Sequence, residues 1–319
     1  MQARDRTAVQ TVAIVMDQPE TLRCATLPLT PAGDEDVVVD IELSGISTGT
    51  ERLLYSGRMP QFPGMGYPLV PGYESVGRIA EGGTRSGHRV GQRVFVPGAR
   101  CYGEVRGLFG GSASRVVTPG TRVISVPESL GDDAVLLALA ATAQHAIAPG
   151  VAGPVLVVGH GVLGRLLARL LCASGLETTV WECNPMRCDG AEGYQVIDPG
   201  DDTAGGYATV VDASGDPGLI DTLIARLKPG GELVLAGFYS EPVQFAFPPA
   251  FMKEPRLRIA AEWRREDLDT VLAQVDSGAV SLSGLITHRA DPADPAPAYR
   301  TAFEDPACLK MVLDWRTMQ

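Results

Sequence analysis

Apolar and polar positions along the 319 residues fall into two textures that meet near Asp132. Before it, short apolar runs alternate with polar positions and are cut by Gly and Pro: 37–43, 76–81, 93–97, 114–117 and 122–126. Period-two alternation between turn residues predicts strands, so this first third reads as a β-rich domain. Beyond Asp132 an Ala-rich apolar segment runs to Ile147, after which β-branched runs alternate with helical patterns. The runs 155–158, 178–182, 209–213 and 232–236 are apolar on both faces, which fits strands of a parallel sheet covered on each side. Leu163, Leu166, Leu167, Leu170 and Leu171 lay one stripe along a helix, and Gly175 is placed to end it. Past Glu262 the strand pattern stops: residues 265–277 predict a helix, and 309–313 an apolar tail that returns to the first domain. The expected fold class is α/β, with a β-rich domain over 1–127 completed by 280–319, and a doubly wound parallel-sheet domain over 128–279.

The junction of the first strand and helix of that second domain carries the clearest chemistry. Gly159, His160, Gly161, Val162, Leu163 and Gly164 form a Gly-x-Gly-x-x-Gly string that leaves a strand and opens the leucine-striped helix. The first glycine serves a tight turn, the second lets backbone approach a pyrophosphate, and the third packs helix on strand. Free N–H groups at the helix start attract phosphate. Glu182 closes the next strand about 20 positions on, where a carboxylate takes hydrogen bonds from the adenosine ribose and repels a 2′-phosphate. The expected cofactor is therefore NAD rather than NADP. Arg187 is the dissenting residue; a surface arginine and a 2′-phosphate clamp are both open, and Glu182 opposes the clamp. Ala213 and Ser214, and Gly237 and Phe238, end later strands, where such sheets place their ligand crevice, and are expected at the nicotinamide end. His160 is a further candidate for touching the phosphates, whereas His145 reads as scaffold.

Composition narrows the classes. Lys and Arg total 27 against 38 Asp and Glu, a net charge of -11 that repels nucleic acid. No apolar run reaches the roughly 20 residues of a membrane span, and 1–6 show no signal sequence, so a cytosolic setting is expected, with transient docking on a membrane left open. Six cysteines without a CxxC pair predict neither a disulfide framework nor a zinc cluster.

Two strings of the β-rich part, Ser44-Gly45-Ile46-Ser47-Thr48-Gly49-Thr50-Glu51 and Pro71-Gly72-Tyr73-Glu74-Ser75-Val76-Gly77, together with Lys228-Pro229-Gly230-Gly231-Glu232 and Leu285-Ile286-Thr287-His288-Arg289, resemble the medium-chain dehydrogenase/reductase superfamily. Ser56-Gly57-Arg58-Met59-Pro60, Phe62-Pro63-Gly64-Met65-Gly66-Tyr67-Pro68 and Gly107-Leu108-Phe109-Gly110-Gly111 narrow the resemblance to one branch, the 3-hydroxyethyl bacteriochlorophyllide a dehydrogenase family. That resemblance spans nearly the whole chain. It implies a GroES-like catalytic domain beside a Rossmann domain, and oxidation of a hydroxyethyl side group of a bacteriochlorophyllide to acetyl, in bacteriochlorophyll biosynthesis. A homodimer through an edge strand of the Rossmann sheet is common in the superfamily.

Zinc-dependent members of the superfamily hold metal with a Cys and with a His in a Gly-His-Glu string; the matching positions here are Ser47 and Tyr73. A hydroxyl and a phenol resist the deprotonation that a good zinc ligand requires, so no metal is expected. Hydride transfer without a Lewis acid still needs an acceptor for the hydroxyl proton. Ser47, Thr48, Thr50, Tyr73 and Glu74 are the candidates; for Ser47 and Thr48 a turn-stabilising role, for Tyr73 space-filling, and for Glu74 a structural salt bridge remain open beside catalysis. Thr50, Arg58, Phe62, Met65 and Phe109 are expected to meet a flat apolar macrocycle with carboxylate edges, the aromatic and Met side chains being equally suited to plugging the domain's own core. Competing functions are a zinc-independent quinone or alkene reductase, and a non-catalytic NAD- or pigment-binding protein.

Overall fold

The computed structural model describes residues 9–148 and 150–318. The chain divides into two compact units, one formed by the described residues up to Leu136 together with those from Ile286, the other by Leu137–Leu285.

The first unit is built from two sheets. The long strand Asp36–Ile46 is the axis of the larger one, pairing antiparallel with Ser75–Gly82, Arg115–Pro119 and the C-terminal strand Met311–Asp314. The tail thus completes this sheet, with Met311 opposite Ile46. The smaller sheet runs Thr21–Pro28, Gln10–Gln18, Leu69–Val70, Arg106–Gly107. Its first two strands form a hairpin that the apolar pattern of the sequence did not disclose, because Thr21–Pro28 alternates only weakly in burial. Ile14, Met16, Ile41, Leu54, Leu69 and Tyr299 fill the core of the unit.

The second unit is a six-stranded, fully parallel sheet in the order Gln195–Ile197, Thr178–Trp181, Val155–Val158, Tyr207–Asp212, Leu227–Leu235, Arg256–Ile259. Numbered along the chain this is 3-2-1-4-5-6, the dinucleotide-binding order, with the reversal beside Val155–Val158. All four residues of that central strand are buried, and the helix Val162–Ala173 follows it directly. The outermost strand, Arg256–Ile259, is short, and its two arginines obscured it in the apolar pattern.

The division differs from the expected 127/128 and 279/280 for polar reasons. Arg78 forks onto Glu128, with nitrogen–oxygen distances of 2.7 and 2.8 Å, and Arg289 meets Asp132 at 2.8 Å, which ties 128–136 to the β-rich unit. At the other end Arg169, on the helix Val162–Ala173, donates to the carbonyls of Ser281 and Ser283 at 2.8 and 2.9 Å and keeps 280–285 with the parallel sheet. No helix among the described residues is long and apolar enough to cross a membrane.

Candidate active site

In the β-rich unit the strand Asp36–Ile46 ends by delivering Ser47, and the short helix Thr50–Tyr55 begins three residues later. Tyr73 and Glu74 lie between Leu69–Val70 and Ser75–Gly82. The fold thereby joins two loops far apart in sequence: Ser47 Oγ and the Tyr73 hydroxyl stand 2.7 Å apart, one hydroxyl donating to the other, and either is able to be the donor. The Tyr73 hydroxyl also reaches within 3.5 Å of Thr50 Oγ1. The Phe109 ring packs edge-on against Tyr73 with ring centres 5.3 Å apart. Burial pushes the Tyr73 phenol up from its ordinary value, and the charge of Glu74 adds to this, so the phenol stays neutral.

Behind this pair lie ionisable groups taken fully out of water. Lys310, 1 % exposed, forms an ion pair with Glu74, 0 % exposed, and donates to the carbonyl of Ile46 at 2.9 Å. Glu51, also fully buried, accepts the backbone N–H of Ser47 at 3.1 Å and the Tyr299 hydroxyl at 2.8 Å. The salt bridge that one of the two sequence readings of Glu74 called for is thus present, with Lys310 as its partner. Glu51, Tyr299 and Lys310 were not singled out in the sequence. The signal for one of them was present: Lys310 interrupts the apolar run 308–313, whereas Glu51 stands between the polar residues Thr50 and Arg52 and offers no such mark.

The proposed substrate residues divide. Phe109 and Thr50 join the hydroxyl cluster. Met65 packs against the unit's core, the plugging role left open for it, and Phe62 is exposed. Arg58 is exposed and donates Nε to the Ser56 hydroxyl at 3.2 Å. Thr48 is half-buried beside Ser47.

The donor set does not suit zinc. Ser47 and Tyr73 would have to ionise against burial, and Lys310 already holds a Glu74 oxygen.

In the parallel-sheet unit the glycine string has the geometry a pyrophosphate requires. Gly159 turns the chain at φ +95°, a left-handed conformation that side chains disfavour. A Cβ on Gly164 would lie 1.8 Å from the Gly159 carbonyl, so the third glycine is imposed by contact between helix and strand end. Gly161 faces open space, and no side chain caps the helix that starts at Val162. Its first-turn N–H groups thus remain available to an anion, with Val162 buried and Leu163 half-buried beside them.

Glu182, 8 % exposed, accepts the backbone N–H of His160 at 2.9 Å and of Asn184 at 2.8 Å, one on each oxygen, which orients the carboxylate and leaves further lone pairs. The His160 ring was a candidate for the phosphates; it is turned instead to the Arg187 carbonyl at 2.6 Å and the Tyr194 hydroxyl at 2.8 Å. Burial pushes it down to about 4, so it is neutral near pH 7. Arg187 enters this network through its carbonyl. His145 bonds Asp267 at 2.8 Å, a scaffold contact between the helices Leu137–Ile147 and Arg265–Asp276.

Ala213, Ser214, Gly237 and Phe238 lie together where two strands end, and Asp212 organises them. Its carboxylate accepts the Ser214 hydroxyl at 2.6 Å, the Ser214 and Gly215 N–H groups, and the Tyr239 hydroxyl. Gly237 donates to the Asp212 carbonyl at 2.8 Å, while Phe238 is 52 % exposed.

Residues 33–128 match the family model of the alcohol dehydrogenase GroES-like domain. Over 311 residues the chain is 56 % identical to the 2-desacetyl-2-hydroxyethyl bacteriochlorophyllide A dehydrogenase of Rhodobacter capsulatus, covering 97 % of this chain and 99 % of the relative. It is 54 % identical to the Cereibacter sphaeroides protein of the same name, over 97 % and 99 % of the two chains. Among solved structures, an Escherichia coli alcohol dehydrogenase complexed with NADH superimposes with a TM-score of 0.82 at 23 % identity, over 96 % of this chain and 99 % of that one. A Sinorhizobium meliloti protein bound to NADP gives 0.78 at 20 % identity, over 96 % and 99 %. These structural neighbours share the α/β fold, a GroES-like unit with a Rossmann unit.

Glu51 gives the β-rich unit a measurable signature. Burial pushes its carboxyl up to about 7 and the Glu74 charge adds to this, against the bonds from Tyr299 and Ser47 and the Lys310 charge. A carboxyl that holds its proton more tightly folded than unfolded makes the native state less stable as pH rises from about 4.5 to about 7, with no further change above. The integrated effect is on the order of 3 kcal/mol. Glu51→Gln keeps an acceptor for Ser47 and removes the titration. Urea unfolding followed from pH 4.5 to 8 is expected to show the variant gaining on the wild type across that window, and parallel curves would contradict the assignment.

Proposed function

The chain belongs to the family of 2-desacetyl-2-hydroxyethyl bacteriochlorophyllide A dehydrogenases, and on that premise we propose that it oxidises the hydroxyethyl side group of a bacteriochlorophyllide to acetyl, a step of bacteriochlorophyll biosynthesis. It is an oxidoreductase acting on CH–OH. The observation that carries this reading is identity above one half over nearly the full length of both relatives. A nicotinamide dinucleotide, when bound, supplies the acceptor for the hydride that leaves the carbinol carbon. The residues that fit it are the glycine string, with the open space at Gly161 and the uncapped helix start for the phosphates. Glu182 supports NAD over NADP, since an oriented, nearly buried carboxylate repels a 2′-phosphate. Ala213, Ser214, Gly237 and Phe238 would border the nicotinamide.

As the hydride leaves, the alcohol oxygen gives up its proton and the carbon–oxygen double bond forms. Ser47 Oγ and the Tyr73 hydroxyl are the groups assigned to that proton. A neutral phenol raised by burial is no resident base, so transfer is concerted: one hydroxyl accepts the substrate proton while passing on its own, and Thr50, which is only half-buried, hands the proton to solvent water, the final acceptor. Glu74 and Glu51 hold the loops and take no part in the transfer. No metal enters this scheme. Phe109 offers the macrocycle an aromatic wall, and exposed Phe62 extends the apolar surface available to it; the exposed Arg58 suits a carboxylate edge. A homodimer is also proposed, supported by the edge strand Arg256–Ile259, whose Leu257 and Ile259 are 40 % and 78 % exposed.

Purified protein given a hydroxyethyl-bearing bacteriochlorophyllide is expected to shift the long-wavelength pigment band with NAD+, more slowly with NADP+, and equally well after chelator treatment. An unmoved band would reject the substrate, equal rates the cofactor preference, and inactivation reversed by zinc the metal-free scheme. Tyr73→Phe is expected to lower kcat by about a hundredfold, and unchanged kcat would remove Tyr73 from the proton path. Light scattering is expected to give twice the 33.7 kDa chain mass, whereas the monomer mass would reject the dimer.

A further inference from the structure

The loop after Thr178–Trp181 has little means of ordering itself. Between Cys183 and Gly193 its regular structure is a single three-residue turn, Pro185–Arg187, and Cys183, Pro185, Met186, Asp189, Gly190, Ala191, Glu192 and Gly193 are all exposed. A segment that buries so little apolar surface must recover its conformational entropy from polar anchors.

Those anchors come from the dinucleotide helix. Arg165, 6 % exposed and one turn into Val162–Ala173, donates Nε to the His160 carbonyl at 3.1 Å and Nη1 to the Gly190 carbonyl at 3.3 Å. Its Nη2 donates to the carbonyls of Arg187 at 3.0 Å and Asp189 at 2.7 Å. Four of the five guanidinium N–H groups are thus spent on backbone carbonyls, three of them in this loop. His160 adds a second bond to the Arg187 carbonyl, and the bond from Tyr194 to its other nitrogen holds the ring. One helical turn on, Arg169 pairs with Glu192 at the far end of the loop. Gly190 closes against the guanidinium: at φ +83°, a Cβ there would lie 2.4 Å from Arg165 Nη1.

Resting on the nicotinamide-dinucleotide reading above, we infer that Arg165 is a positioning residue for dinucleotide selection: from inside the phosphate-facing helix it fixes the loop that follows Glu182. Glu182 and the loop share an anchor, because the residue whose carbonyl Arg165 binds, His160, is the one whose N–H orients the carboxylate. Helix start, carboxylate and loop are therefore held as one piece. A planar fork reaches several carbonyls at once, which the point charge of a lysine does not.

Arg165→Lys keeps the charge and loses the fork. The expected result is a KM for NAD+ raised about tenfold with kcat at saturation within about twofold, a narrowed ratio between NAD+ and NADP+, and faster amide exchange across 184–193 in the protein without cofactor. General loss of structure would lower kcat and the melting temperature as well. Gly190→Ala, which keeps the arginine but forces a Cβ against its Nη1 and so parts guanidinium and loop, is expected to act in the same direction and decides the matter if the lysine variant does not fold. An unchanged KM for NAD+, or unchanged exchange across the loop, in a folded variant overturns the inference. Equal use of both dinucleotides by the wild type would overturn instead the assignment to Glu182, while the exchange measurement would still report on the clamp.

Discussion

Lys310 and Glu74 carry opposite charges into a part of the β-rich unit where neither meets water. Desolvating two ions costs several kcal/mol each, a cost that mutual attraction recovers only when the geometry is tight and the remaining donors are used. Here the ammonium also takes the carbonyl of Ile46. One side chain from the C-terminal tail thus fastens the end of Asp36–Ile46, which presents Ser47, to the segment that presents Tyr73. Removal of one partner leaves the other buried and uncompensated, so the pair is far harder to lose singly than it is stabilising as a whole. The two hydroxyls, 2.7 Å apart, belong to the residues next in sequence to Ile46 and Glu74, the two points that Lys310 ties together.

The two units solve the same problem with the same two kinds of side chain. Strand ends leave backbone groups unsatisfied, and each must find a partner if the chain is to turn sharply around a site. In the β-rich unit the Glu51 carboxyl takes the Ser47 N–H and the Lys310 ammonium takes the Ile46 carbonyl. In the parallel-sheet unit Glu182 and Asp212 take N–H groups at two strand ends, while Arg165 and Arg169 take carbonyls from the loops beyond. Charge-assisted bonds to backbone are stronger than neutral ones, which suits loops with little apolar surface to bury.

Sequence alone determined a good deal of this protein. The period-two runs of the first third, the both-face apolar strands after Asp132 and the leucine stripe are local patterns, and they settle the two kinds of sheet because burial of a strand face or helix stripe is dictated residue by residue. The glycine string with Glu182 was legible for the same reason: turn, close approach and carboxylate lie within one strand–helix–strand unit. The family was legible because its loop strings are long. Tertiary structure decided what needed partners distant in the chain. Whether Glu74 transfers protons or holds a lysine depends on Lys310, more than two hundred residues away. Whether Ser47 and Tyr73 touch depends on two loops meeting. His160 lies within the phosphate motif, yet its ring belongs to a loop beyond the next strand. The pattern of a chain records which side chains leave water; only the packed chain chooses which buried charge meets which.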